Sequence, residues 1–242
     1  MYALVLAGGK GERLRPLTED RPKPMILLAG KSILEYHLTW LRDNGVSHAI
    51  LLCGYRADVI QSYFGDGRAW GLTIEYSLEE QPLGRGGAFK LAFARVPERE
   101  KLIIGTNGDV LCNQPLAPIL RAHRASGAVA TVMLTRFVSP YGIVRVARDG
   151  RILRFEEKPR LPYWINAGLY VLSRPFFDLL PDVGDHEDSV FPLLAARGQL
   201  RAYRGHGYWR SIDTVKDMTE ATRELPLFAP AEAGQPARKG FQ

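Results

Sequence analysis

A change of period does most to restrict what this chain can fold into. Up to residue 126, strand-like runs at 2–7, 49–53, 72–76 and 102–106 alternate with helix-like runs at 33–44, 57–64, 86–94 and 116–126. Strands separated by helices of that length build βαβ units, so a mainly parallel sheet covered on both faces is expected. The first helix carries its own boundary signals: Ser32 as N-cap, Glu35 three residues on to complete a capping box, and Gly45 as the stop. Beyond residue 127 the connections shorten. Strands are expected at 129–136, 143–146, 152–155 and 167–172, with Asp149-Gly150 as a hairpin turn. They read either as antiparallel additions to the same sheet or as a small lid over it. Helices at 175–180 and 189–196, a strand at 200–203 and a last helix at 215–223 follow. The aperiodic Pro- and Gly-containing stretch 226–242 reads as a mobile tail.

Composition narrows the function classes. A chain of 242 residues, 46% apolar and 24% charged, is neither disordered nor fibrous and can bury a substantial core. Its net charge of +6 is spread along the sequence with no long Lys/Arg run. That pattern points to local phosphate sites and away from a nucleic-acid polymer. No stretch approaches the roughly 18–20 apolar residues of a membrane span, and the first residues read as a strand rather than a secretion signal. A soluble, cytoplasmic protein with no membrane partner is expected. Cys53 and Cys112 each end an apolar run in no metal-ligand spacing, so both are expected as buried thiols.

The chemistry is concentrated at the amino end, in Leu6-Ala7-Gly8-Gly9-Lys10-Gly11-Glu12-Arg13-Leu14-Arg15-Pro16-Leu17-Thr18 and then Arg21-Pro22-Lys23-Pro24-Met25. A strand running into three glycines lets backbone N–H groups approach an anion, and Lys10, Arg13, Arg15 and Lys23 add charge around it. A tight turn with exposed charges would look similar. Two familiar phosphate loops fail. Gly30-Lys31-Ser32 could end a P-loop, but its leading position is Met25. Gly9-x-Gly11 could open a dinucleotide fingerprint, but its third position is Leu14.

Residues 8–25 instead resemble the signature of the sugar-nucleotide pyrophosphorylases, Gly-Gly-x-Gly-x-Arg-Leu-x-Pro-Leu-Thr followed by Pro-Lys-Pro, with no departure. The resemblance extends in order through Glu79-Glu80-Gln81-Pro82-Leu83-Gly84, the apolar run ending in Gly108-Asp109, Tyr141-Gly142-Ile143-Val144, Glu156-Glu157-Lys158-Pro159 and Asn166-Ala167-Gly168, covering roughly 2–223. It implies a Rossmann-like three-layer α/β/α sandwich with a mixed, mainly parallel sheet, the nucleotide-diphospho-sugar transferase fold. It also implies transfer of a nucleotidyl group from an NTP to a sugar 1-phosphate with Mg²⁺. One domain over 1–225 is expected, with a nucleotide half at 2–127, a sugar-phosphate half at 128–225 and no appended β-helix.

The nucleotide-binding set implied by the resemblance is Leu6, Ala7, Gly8, Gly9, Gly11, Arg13, Lys23, Glu79, Pro82, Gly84 and Asp109. Within it Arg13, Lys23 and Asp109 carry catalysis, Arg13 on the leaving phosphates and Lys23 near the α-phosphate. The implied sugar-phosphate set is Gly142, Glu157, Lys158, Asn166 and Gly168. Asp109 is the expected Mg²⁺ ligand. Many relatives have a second Asp where this chain has Ser211, and Asp213, two residues on, is expected to replace it, unless it serves as the N-cap of the last helix. Glu79 stands where pyrimidine-using relatives carry an amide; guanine's N1–H and N2–H suit a carboxylate, which favours GTP and a mannose 1-phosphate type of reaction. Uridylyl-, thymidylyl- or cytidylyl-transfer, a non-sugar phosphate acceptor, and a non-catalytic NDP-sugar-binding paralogue are the alternatives. A homo-oligomer is compatible with the sequence.

Overall fold

The first strand is buried on both faces, and its alternate residues feed two different cores. Ala3 and Val5 join one apolar cluster, Tyr2 and Leu4 the other. Period two on a strand with no polar face is the pattern of a central parallel strand, which needs a layer on each side. The computed structural model describes residues 1–228; of the tail expected at 226–242, residues 229–242 lie outside the described residues.

In chain order the first half runs β1 (Tyr2–Leu6), the short pair β2 (Leu27–Leu28) and β3 (Lys31–Ser32), α1 (Ile33–Asp43), β4 (His48–Cys53), α2 (Ala57–Phe64) and β5 (Thr73–Leu78). Then come α3 (Gly84–Phe93), β6 (Leu102–Asn107), β7 (Val110–Cys112) and α4 (Leu116–Ser126). The second half comprises β8 (Ala130–Val138), β9 (Ile143–Val146), β10 (Ile152–Glu156), β11 (Arg160–Ser173), α5 (Pro175–Asp178), α6 (Val190–Ala196), β12 (Leu200–Arg204), β13 (Trp209–Ser211) and α7 (Val215–Phe228). The last helix therefore runs through Pro226 and past the expected end at 223.

The main sheet has the order β12-β8-β11-β6-β1-β4-β5. Strands β6, β1, β4 and β5 are parallel, β11 runs antiparallel to both β6 and β8, and β12 is parallel to β8. Residues of α1, α2 and α4 pack on one face, those of α3, α5 and α6 on the other, which makes the expected three layers. The strands of the second half divide between two sheets. β8 and β11 extend the sheet, while β9 and β10 form a separate two-stranded ribbon. Its turn is the expected one, with Gly150 at φ 86.

After β1 the chain steps outward through β4 to β5, then returns to place β6 on the other side of β1. A crevice opens at the carboxyl ends of strands where the order reverses in this way. The α1 start is half as expected. Ser32 accepts the Glu35 N–H at 3.0 Å, but the Glu35 carboxylate turns to Tyr63 Oη (2.8 Å) and Lys31 (3.6 Å) rather than closing the box.

Candidate functional site

A cleft of about 380 Å³ lies at that reversal, lined by Leu6, Gly8 and Gly9 after β1, Leu52 on β4, Glu79 after β5 and Asn107 and Asp109 at the end of β6. Lys23, Pro24, Pro82, Gly84, Arg85 and Asp185 complete it.

The glycine loop folds back on itself around Lys23. Lys23 N–H donates to the Gly9 carbonyl (3.1 Å), and Thr18 Oγ1 donates to the Gly11 carbonyl (2.9 Å). Gly11 has φ 63, and a Cβ there would sit 2.8 Å from Lys23 Cβ, so a glycine is needed for both backbone and packing. Gly9 differs. A Cβ there would meet nothing within 4 Å, so no packing within the protein requires the missing side chain. Ala7 lies fully buried behind the loop, its N–H donating to the Leu52 carbonyl at 2.8 Å.

Lys23 is the hub. Its ammonium, 10% exposed, donates to Asp109 Oδ2 at 2.6 Å and to Asp213 Oδ1 at 2.8 Å. Burial works against its charge, yet the two carboxylates outweigh burial and hold its pKa above the ordinary lysine value. Asp213 is the mirror case: burial pushes it up, but hydrogen bonds from Lys23 and Ser211 and the charges of Lys23 and Arg13 bring it below the usual carboxylate range. Arg13, 72% exposed, reaches Asp213 Oδ1 at 2.8 Å from outside.

Asp213 comes to Asp109 through the antiparallel pairing of β13 with β7, which sets Ser211 opposite Val110. Ser211, at the position where many relatives carry the carboxylate, donates its hydroxyl to Asp213 Oδ2 at 2.5 Å. Asp213 is not the helix cap. Thr214 and Asp217 cap α7 reciprocally, and Asp217 also takes the Asp213 N–H at 3.1 Å. The Asp213 side chain is thereby left to face Lys23.

At the other end of the cleft, Glu79 Oε2 accepts the Leu83 N–H at 3.1 Å, and burial raises its pKa. Gly84, at φ 72, opens α3. A Cβ on Gly84 or Gly86 would stand 2.8 Å from Gly184 backbone, so these glycines admit the 181–187 segment against the helix start. This is a packing reason that the sequence did not reveal.

None of the sugar-phosphate candidates lines this cleft, and Gly168 alone touches one of its residues, Asn107. A Cβ on Gly142 would be 2.7 Å from the Phe155 ring and 3.0 Å from Glu157 Oε2, which puts these three together at the root of the ribbon. Lys158, at φ 46, has Nζ 3.7 Å from Glu220 Oε1 on α7. Asn166 accepts the Gly168 N–H at 2.8 Å and donates to Tyr170 Oη at 2.9 Å. Gly168 makes the link between the halves. Its φ is 67, and a Cβ there would fall 2.5 Å from Asn107 Nδ2, so β11 presses directly on a cleft residue. Asn107 Oδ1 is buried without a hydrogen-bond partner. Asn107, Arg85, Asp185 and Leu52 are cleft residues that the sequence does not single out. The first is an ordinary strand-end residue, and the Arg85–Asp185 pairing spans a separation that no local pattern signals.

Two carboxylates within reach of one cation, a glycine loop left open at Gly9 and the charges of Lys23 and Arg13 suit a bound polyphosphate and a hard metal ion. Among the described residues no third His, Cys, Asp or Glu joins Asp109 and Asp213 as a metal-binding group, and no helix is long and apolar enough to cross a membrane.

The sequence matches the nucleotidyl transferase family over residues 2–226. It is 39% identical over 232 residues to a mannose-1-phosphate guanylyltransferase of Mycobacterium tuberculosis, covering 92% of this chain and 64% of that protein. It is 37% identical over 226 residues to mannose-1-phosphate guanyltransferase beta-B of Xenopus laevis, covering 90% of this chain and 62% of that one. The chain thus spans less than two thirds of the length of these curated relatives. The crystal structure of HddC from Yersinia pseudotuberculosis superposes with a TM-score of 0.75 at 26% identity, over 93% of this chain and 99% of that one. HddC has also been solved complexed with GMP-PN.

Proposed function

The chain belongs to the nucleotidyl transferase family, and from that premise we propose that it joins an NTP to a sugar 1-phosphate, giving an NDP-sugar and pyrophosphate, with GTP and mannose 1-phosphate as the preferred pair. The observation that carries this reading is the Lys23 knot, a buried ammonium clasped by Asp109 and Asp213 at the mouth of the glycine loop. The names of the curated relatives support the choice of substrates, and Glu79 at the base end supports guanine.

An oxygen of the sugar phosphate attacks the α-phosphorus opposite the departing pyrophosphate. One P–O bond forms as another breaks, and because the nucleophile is already an anion no proton has to move. The chain's task is to hold two polyanions together and to balance their charge. Gly8, Gly9 and Gly11 let backbone approach the triphosphate, Arg13 takes the leaving phosphates and Lys23 the α-phosphate. Glu79, Pro82 and Gly84 bound the base. Gly142, Glu157, Asn166 and Gly168 orient the sugar, and Lys158 meets its phosphate.

Asp109 and Asp213 are hard donors already converging on one cation, which fits Mg²⁺, an ion that takes one or two carboxylates and completes its shell with phosphate oxygens. Bound there, it would supply charge neutralisation on the phosphates.

Pyrophosphate release from the four NTPs against a panel of sugar 1-phosphates, with and without Mg²⁺, tests the proposal. Release is expected only with both substrates and the metal, fastest with GTP and mannose 1-phosphate. NDP-sugar binding without release under any condition would identify a non-catalytic paralogue instead. Arg13→Ala is expected to lower turnover by about two orders of magnitude or more while leaving the melting temperature unchanged; undiminished turnover would remove Arg13 from the reaction.

A further inference from the structure

The base end of the cleft holds a cation with no part in the reaction above. We infer that Arg85 is a specificity-determining residue that reads the O6/N7 edge of guanine, and that Asp185 and Glu187 are positioning residues that aim it; the inference rests on the guanine-nucleotide reading of the cleft.

Arg85 lines the cleft beside Glu79, Pro82, Gly84 and Asp185. One terminal nitrogen donates to Asp185 Oδ2 at 2.7 Å and the other pairs with Glu187 Oε1 at 2.8 Å, while Asp185 Oδ1 takes the Arg85 backbone N–H at 2.7 Å. The same carboxylate thus grips both ends of the residue, which folds the guanidinium back over the first turn of its own helix. Glu79 binds the start of that turn through its bond to the Leu83 N–H. A carboxylate and a guanidinium thus line the same cleft beside the first turn of α3.

Guanine offers a matching pair of edges. Its N1–H and N2–H are donors for a carboxylate, and O6 and N7 are acceptors suited to the arginine fork. Phosphate is the poorer ligand here. Arg85 stands between two carboxylates, and the helix-start N–H groups are already spent, Gly86 and Gly87 on the Gly184 carbonyl at 2.9 and 3.3 Å. A neutral acceptor edge suits this surrounding better than a polyanion does. The brace is also costly. Glu187 Oε2 is buried, with His186 Nδ1 3.2 Å away but outside hydrogen-bond geometry. Such half-satisfied groups are retained where a site needs a fixed orientation.

Calorimetry of the purified full chain with GTP, 7-deaza-GTP and UTP tests the inference without needing turnover. The native protein is expected to bind GTP about tenfold more tightly than 7-deaza-GTP, the scale of losing one hydrogen bond to a charged group. Arg85→Met should abolish that difference and leave UTP within twofold. Arg85→Lys, which keeps a charge for Asp185 but presents no planar fork, should reduce it and guards against a folding defect in the first variant. Equal binding of GTP and 7-deaza-GTP by the native protein would overturn the inference, as would an equal loss for all three nucleotides in both variants, which is what a mere brace predicts. Pyrophosphate assays on the same samples separate the two readings. N7 discrimination without turnover removes the transferase and keeps Arg85, whereas a native protein that binds no nucleotide removes both.

Discussion

At the scale of single residues, Gly9 and Gly11 look alike in the sequence and differ in what each is for. Gly11 has a left-handed φ of 63 and a Cβ site already filled by Lys23, so Gly11→Ala should cost about 1–2 kcal/mol from the backbone alone. Gly9→Ala meets open space; it should leave the urea midpoint unchanged yet weaken GTP binding at least tenfold. Equal effects of the two variants on stability would contradict this division. Asp213 supplies a pH signature. Its folded pKa lies below the ordinary value, so its contribution is present above the unfolded pKa of about 4 and disappears as pH falls through the lower folded value. Denaturant titrations below about pH 4 should therefore show stability falling with acid, with a shallower acid limb in Asp213→Asn. An unchanged limb would mean that the Lys23–Asp213 pair does not titrate with folding.

Elements contribute what single residues cannot. The start of α3 is capped from a distance: Leu83 accepts the Gly184 N–H at 2.8 Å, and Gly86 and Gly87 donate back to the Gly184 carbonyl. A Cβ on Gly87 would collide with the Asp182 carbonyl. Gly87→Ala should cost about 1–3 kcal/mol, the usual scale of overpacking, and should raise hydrogen exchange in 181–187 before elsewhere. Silent exchange there would show that the segment is held by other contacts. The boundaries of α1 were legible because capping is local, whereas α3 begins at Gly84, two residues before the expected start at 86. Its cap comes from residues about a hundred positions away, beyond any local signal.

On the scale of the whole molecule, the two larger cores lie on opposite faces of one sheet and should open together. Cys53 and Cys112 report on the first of these cores, because both are free thiols buried within it whose pKa burial pushes up to about 12. Neither should react with a thiol reagent in the native protein, and both should react along the same urea curve as the loss of secondary structure. Earlier modification of one thiol would reveal a part that opens alone. The ribbon β9–β10 is different in kind, since it pairs with no strand of the main sheet.

The sequence by itself determined the layered α/β architecture, the glycine loop and the identity of Lys23, Asp109 and Asp213 as charged groups in telling positions. Periodicity and capping are short-range effects, and a long motif is read along the chain. Only the tertiary structure decided that Asp213 turns its carboxylate to Lys23 rather than capping α7, because β13 must first pair with β7 to bring residues 190 positions apart within 2.8 Å. It alone decided that Gly168 presses on Asn107 and that Arg85 answers to Asp185, since each contact forms between segments whose approach is set by packing the two cores against the sheet.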